Sequence, residues 1–136
     1  MTAQTQNNNK IKILIVDDDE DLQRILSFAF TSEGFEVKSI ITGKEALEYL
    51  FDEKNLSTVS LLILDRMLPD MDGMHILEEL GDKFPNHVPV LILSVLSAEK
   101  DVVTGLKRGA LDYVIKPFSL PILMEKASRL LNIRKT

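Results

Sequence analysis

Three stretches of this chain share one plan: an uninterrupted run of β-branched and aliphatic residues that stops on a functional group. Ile13-Leu14-Ile15-Val16 runs into Asp17-Asp18-Asp19, Leu61-Leu62-Ile63-Leu64 into Asp65, and Tyr113-Val114-Ile115 into Lys116-Pro117. A wholly apolar run of this length reads as a strand buried on both faces of a parallel sheet, and parallel strands direct their C-terminal ends to one edge. The polar groups that end the runs are therefore expected to meet. Open α/β sheets bind ligands in the crevice beyond those ends, where the strand order reverses. Three carboxylates and one ammonium gathered there invite a cation and an anion.

Between these runs the periodicity turns helical, so the chain reads as a βα ladder. The first strand is expected over about 12–16. A helix follows with Leu22, Ile25, Leu26, Ala29 and Phe30 on one stripe, and Gly34 closes it as a C-terminal cap. A second strand over 35–40, a helix over 43–51 and a third strand over 59–64 come next. After the turn segment Pro69-Asp70-Met71-Asp72-Gly73, a third helix carries Met74, Leu77 and Leu80 inward. Pro85 and Pro89 bracket the break before a fourth strand over 90–93. A short helix over 98–107 stops at Gly109, a fifth strand spans 111–115, and Ser119 caps a last helix reaching about 133. Five strands and five helices with right-handed crossovers give an α/β, flavodoxin-like (βα)5 three-layer sandwich, its parallel five-stranded sheet in the order 2-1-3-4-5. Asp17, Asp18 and Asp65 then stand at the switch point between strands one and three.

Composition narrows the function classes. A chain of 136 residues, 45% apolar and 27% charged, suits one packed domain, expected over 11–134. Residues 1–10 are polar, with nothing to bury, and read as a flexible leader. A net charge of -5 without a basic run argues against direct nucleic acid binding and against attraction to anionic membrane surfaces. With no cysteine, any metal must be held by oxygen or nitrogen. The N-terminus lacks the apolar stretch of a signal peptide and no run reaches membrane-spanning length, so a cytoplasmic location is the default expectation.

Clustered carboxylates stay ionised only by binding a hard cation, unless one of them takes a proton. Mg2+ is the natural choice, with Asp18 and Asp65 as ligands and Asp17 better placed to hold a water of the ion. Asp65 is positioned to attack phosphorus and form an aspartyl phosphate, with Lys116 supplying the second positive charge. Ser94, which ends the run Val90-Leu91-Ile92-Leu93, offers a hydroxyl to a phosphoryl oxygen. Asp19 reads as a helix N-terminal acid, favoured by the macrodipole. His75 and His87 have no second ligand at metal-binding spacing and read as ordinary surface residues.

From Ile11 to Ile133 the chain resembles a response regulator receiver domain of two-component signalling, the family with the CheY-like fold. Ile13 to Asp19 is similar to the family's acidic strand end, Leu64 to Gly73 to its phosphoacceptor and following loop, Leu93-Ser94 to its switch hydroxyl, and Asp112 to Phe118 to its lysine-proline segment. The resemblance implies that Asp17 and Asp18 form the acidic pair and Asp65 is phosphorylated. It further implies that Met67 offers a backbone carbonyl to the metal, that Ser94 and Tyr113 are the switch pair, and that Lys116 contacts the phosphoryl group. It implies a cis bond between Lys116 and Pro117. A histidine kinase or histidine phosphotransfer protein is the implied donor. A downstream protein or effector domain reads the face of the fourth predicted helix, fifth strand and fifth predicted helix, which includes Leu106, Lys107, Leu111 and Lys126.

Two positions depart from the commoner pattern of that family. Val95 stands where Ala is usual, which predicts a narrower pocket mouth and a Tyr113 less free to lie inward. Leu111 replaces an Asp that joins a dimer salt-bridge set in receivers attached to winged-helix transcription factors. Met67 and Leu96 would flank the phosphoryl position with apolar bulk. On the first helix, Phe28 falls off the stripe, while any exposed part of Leu22 and Ile25 near Asp18 would suit docking of the donor. The chain is expected to act alone or as a receiver from a longer regulator, as a signalling switch and not as an enzyme with turnover. Two rival classes fit the residues less well. A phosphohydrolase would want an Asp-x-Asp pair at Asp65, where position 67 is Met, and a nonphosphorylated binding module would not need the intact set Asp17, Asp18, Asp65 and Lys116.

Overall fold

The computed structural model describes residues 10–81 and 88–135, so the expectations for residues 1–9, Pro85 and His87 lie outside the described residues. Five strands alternate with helices: β1 Lys12–Val16, α1 Glu20–Ser32, β2 Glu36–Ile40, α2 Gly43–Phe51, α3 Glu53–Thr58, β3 Leu61–Leu64, α4 Gly73–Leu80, β4 Val90–Ser94, α5 Glu99–Lys107, β5 Asp112–Ile115 and α6 Leu120–Lys135. All strand pairs are parallel and the sheet order is β2-β1-β3-β4-β5. The reversal falls between β1 and β3, as the spacing of the apolar runs predicts.

Burial follows the composition of each strand. From Ile13 onward β1 is buried, as are all of β3 and β4, so these central strands can be apolar throughout, whereas the edge strand β2 is buried only at Ile40 and exposes Glu36 and Ser39. One sheet face buries Leu14, Val16, Leu62, Leu64 and Ile92 against α2, α3 and α4. The opposite face buries Ile13, Ile15, Leu61, Ile63 and Leu93 against Leu22, Leu26 and Phe30 of α1 and Leu123, Ala127 and Leu130 of α6.

Some expectations are corrected. Among the described residues there are six helices and not five, because Asp52 accepts from the amides of Lys54 and Asn55 and starts a separate helix, α3. On α1 the buried positions are Leu22, Gln23, Leu26 and Phe30. The stripe is centred one step round from the apolar one: Ile25 is 52% exposed, Leu22 is buried, and of the two proposed docking residues only Ile25 faces solvent. Phe28 is exposed as expected. Gln23 is buried because its Nε2 donates at 3.0 Å to each of three strand-end carbonyls, those of Ile15, Asp17 and Ile40. It thereby joins the ends of β1 and β2 beside the acidic cluster. Gly34 has a φ of 93°, the left-handed conformation expected of a residue just past a helix end.

The loop after β3 is anchored sideways. Asp70 Oδ1 accepts from the Gly43 amide at 2.8 Å and Oδ2 from the Lys44 amide at 2.9 Å, which satisfies two free donors at the start of α2. These amides hold the Asp70 carboxyl below the usual carboxylate range. Asp70→Ala is expected to cost about 1 kcal/mol, a fall in Tm of a few degrees. Since the folded pKa is depressed, this stabilisation is present above the ordinary carboxylate pKa and is lost as pH falls through the lower folded value. Thermal melts of wild type and variant along a pH series check this: the gap in Tm is expected to be full at neutral pH and to close in acid. A gap that persists in strong acid would contradict the carboxylate as its source.

Candidate functional site

The register aligns Val16 with Ile40 on one side and with Leu64 on the other, so the residues following β1 and β3 emerge side by side. The Asp17 amide donates to Ile40 O and the Asp65 amide to Val16 O, both at 3.0 Å, which fixes the two backbones at the sheet edge. Carboxylate oxygens of Asp17, Asp18 and Asp65 all lie within 4.8 Å of one another. Lys116 follows β5, its amide bonded to Ser94 O at 2.8 Å. Its Nζ reaches back across the sheet end to donate to Asp17 Oδ2 at 2.8 Å and to Asp65 Oδ2 at 2.9 Å. The Lys116-Pro117 bond is cis.

Asp17 and Asp65 are buried, and Asp18 is exposed. Burial pushes the Asp17 carboxyl above the usual range; the hydrogen bonds from Lys116 and from the Asp19 amide oppose the shift, and the neighbouring Asp65 charge adds to it. Lys116 moves the other way from what its burial alone would give, raised because Asp17 and Asp65 hydrogen-bond and attract its charged form. One ammonium against three carboxylates leaves an excess of negative charge at an edge open through Asp18. Oxygen donors so disposed fit a hard divalent cation that keeps several waters and uses few protein ligands.

The loop from Arg66 to Asp72 is tightly closed. Its hydrogen bonds run from the Met67 amide to Asp65 Oδ1 at 3.0 Å, from Leu68 N to Met71 O at 3.2 Å and from Gly73 N to Arg66 O at 2.7 Å. Gly73 is required there: a Cβ on it would stand 2.2 Å from Asp65 O. On the other side of the site Ser94 is fully buried and its Oγ accepts from the Leu96 amide at 3.2 Å. Tyr113 lies inward, its ring against Gly105 and Ile92 and its hydroxyl donating to Leu96 O at 2.8 Å. Val95 is 54% exposed, and Tyr113 lies inward with Val95 at that position.

Thus Asp17, Asp18, Asp65 and Lys116 converge as the sequence predicts, with Ser94 and Tyr113 joined through Leu96, and with Met67, two residues after Asp65, bonded through its amide to the Asp65 carboxylate. Asp19 caps α1 by accepting from the Leu22 amide. His75 is on the surface, 3.9 Å from both Glu78 and Glu79. Sequence reasoning passed over Gln23 and Arg66. Only their position beside the acidic strand ends hints at them, since glutamine and arginine are ordinarily exposed.

The response regulator receiver domain family model matches residues 13–128. A probable transcriptional regulator, ycf27, of Porphyra purpurea is 42% identical over 112 residues, covering 82% of this chain and 44% of that protein. The homologous regulator of Cyanidium caldarium is 38% identical, covering 84% of this chain and 43% of that protein. The chain therefore spans under half the length of these curated relatives. Among solved structures, the receiver domain of a Francisella response regulator superposes with a TM-score of 0.80 at 31% identity, covering 90% of this chain and 98% of that one. A receiver domain described as BeF3-activated DrrB gives 0.78 at 32% identity, with the same coverage.

Proposed function

Because the chain belongs to the response regulator receiver domain family, we propose that it is a phosphorylation-activated switch in which Asp65 accepts a phosphoryl group from a histidine kinase or a histidine phosphotransfer protein. An Asp65 oxygen attacks phosphorus, the histidine N–P bond breaks, and the leaving imidazole nitrogen keeps the electron pair. The observation that carries this reading is the Lys116 ammonium bonded at once to Asp17 and Asp65. It orients Asp65 and stands where charge on the incoming phosphoryl oxygens needs an opposite partner. Asp17, Asp18, Asp65 and the Met67 carbonyl would hold Mg2+, which supplies further neutralisation of those oxygens when bound.

Ser94, buried beside the cluster, gives its hydroxyl to the attached phosphoryl group, and Tyr113 follows through Leu96. A downstream protein or effector domain then reads the face formed by α5, β5 and α6. Leu106, Leu111 and Ile122 are exposed on that face, and Lys126 pairs with Asp112 at 3.1 Å. A phosphotransfer profile against candidate histidine kinases, with Asp65→Asn as control, tests the reading. Transfer to wild type alone is the expected result; an absence of transfer from every kinase and from acetyl phosphate would refute it.

The resemblance to the family implies that Met67 and Leu96 set apolar bulk beside the phosphoryl position, which would hinder an attacking water. The phosphoaspartate is accordingly expected to last minutes or longer in purified protein with Mg2+. Radiolabel decay checks this, and loss within seconds would contradict it.

A further inference from the structure

Arg66, the residue after Asp65, has a side chain only 9% exposed. An arginine buried to this degree ordinarily requires close pairing with carboxylates. Here its two terminal nitrogens are divided: one donates to the backbone carbonyl of Asp101 in the first turn of α5 at 2.9 Å, the other to Asp72 Oδ2 at 3.3 Å. The Asp101 carboxylate stands off at 4.0 Å, the Asp72 side chain is itself 52% exposed, and Arg66 Nε has no partner. Such an arrangement serves stability poorly, since apolar replacement of a buried ion is often neutral or stabilising. It serves position well. Asp72 caps α4 by accepting from the Met74 amide at 2.8 Å, and α5, whose first turn Arg66 holds, sets Gly105 beside the Tyr113 ring. A path therefore runs from Ser94 Oγ to the Leu96 amide, from Leu96 O to the Tyr113 hydroxyl, and from the Tyr113 ring beside Gly105 along α5 to the first turn that Arg66 holds.

We propose that Arg66 is a positioning residue that braces the inward Tyr113 and the first turn of α5 against the phosphoacceptor loop, and so couples occupancy of the acidic site to the α5–β5–α6 face. The inference rests on the switch reading above. By linkage, a residue that favours the inward arrangement also favours whatever ligand at Asp65 requires it, so its removal weakens that ligand.

The test uses the full chain labelled with 3-fluorotyrosine. There are two tyrosines, so Tyr49 is an internal reference once assigned by Tyr49→Phe. Beryllofluoride is titrated at saturating Mg2+. In Arg66→Met the Tyr113 resonance is expected to shift or broaden before any beryllofluoride is added, and half-saturation to rise about fivefold or more. The Tyr49 resonance and Mg2+ affinity should not change, which a merely structural lesion would not respect. Arg66→Lys keeps the charge without the planar fork and is expected to fall between Arg66→Met and wild type. Asp101→Ala keeps the carbonyl that Arg66 uses and is expected to match wild type. If Arg66→Met melts early, Arg66→Gln replaces it in the same measurement. A wild-type Tyr113 resonance and wild-type half-saturation in the Arg66 variant would overturn this inference alone. Failure of wild type to respond to beryllofluoride would instead defeat the switch reading and this inference with it.

Discussion

Asp65→Asn is expected to lose incorporation of phosphoryl from acetyl phosphate by about a hundredfold or more, equivalent to about 3 kcal/mol in the barrier. The amide would remove the anionic oxygen proposed to attack phosphorus and, with it, one of the three carboxylates gathered at the sheet edge. The fold should survive. Lys116 keeps its 2.8 Å bond to Asp17, and the asparagine oxygen still accepts from the Met67 amide. Quantifying bound phosphoryl in wild type and variant after equal exposure to donor checks the expectation; retention within twofold in the variant would place the acceptor elsewhere.

Gly73→Ala is expected to have the largest effect on stability. The added Cβ meets Asp65 O at 2.2 Å and Arg66 Cα at 3.1 Å, and both are backbone atoms that no rotamer change can move aside. Relief requires either the start of α4 or the end of β3 to shift. β3 is held between β1 and β4 and is buried along its length. The expected cost is about 3 kcal/mol, or about 10 °C in Tm for a chain of this size. Because the strained atom is the carbonyl of Asp65 itself, phosphoryl incorporation should also fall at temperatures where the variant is folded. A Tm within about 2 °C of wild type, a shift well under about 1 kcal/mol on that scale, would show that the loop yields more easily than its hydrogen bonds indicate. Gly34→Ala is a useful contrast, since the open space around Gly34 leaves only its φ of 93° as a cost.

The architecture was readable where side-chain chemistry and backbone demand agree. Runs buried on both faces can be apolar throughout, and so β1, β3 and β4 declare themselves in the sequence together with the groups at their ends. The same logic located Asp17, Asp18, Asp65 and Lys116, because strand direction alone brings their backbones to one edge. Legibility failed where a polar residue is buried to serve the backbone. Gln23 occupies a core position of α1 since its amide meets three strand-end carbonyls, and a stripe drawn through apolar residues therefore took Ile25 in its place. Arg66 is hidden for a related reason: its burial depends on Asp101 and Asp72, whose approach belongs to tertiary structure and not to spacing. The helix α3 escapes a reading by period because six residues are too few to establish one, although Asp52 stands before them as a cap.

In the proposed function the acidic strand ends and Lys116 form one magnesium-assisted acceptor whose nucleophile is Asp65. Its most direct test is peptide mapping of the wild-type chain after exposure to acetyl phosphate, with and without Mg2+, using borohydride reduction to mark the acyl phosphate. Modification confined to Asp65 and dependent on Mg2+ is the expected outcome. Labelling at another residue, or labelling of Asp65 to the same extent with the metal chelated, would contradict it.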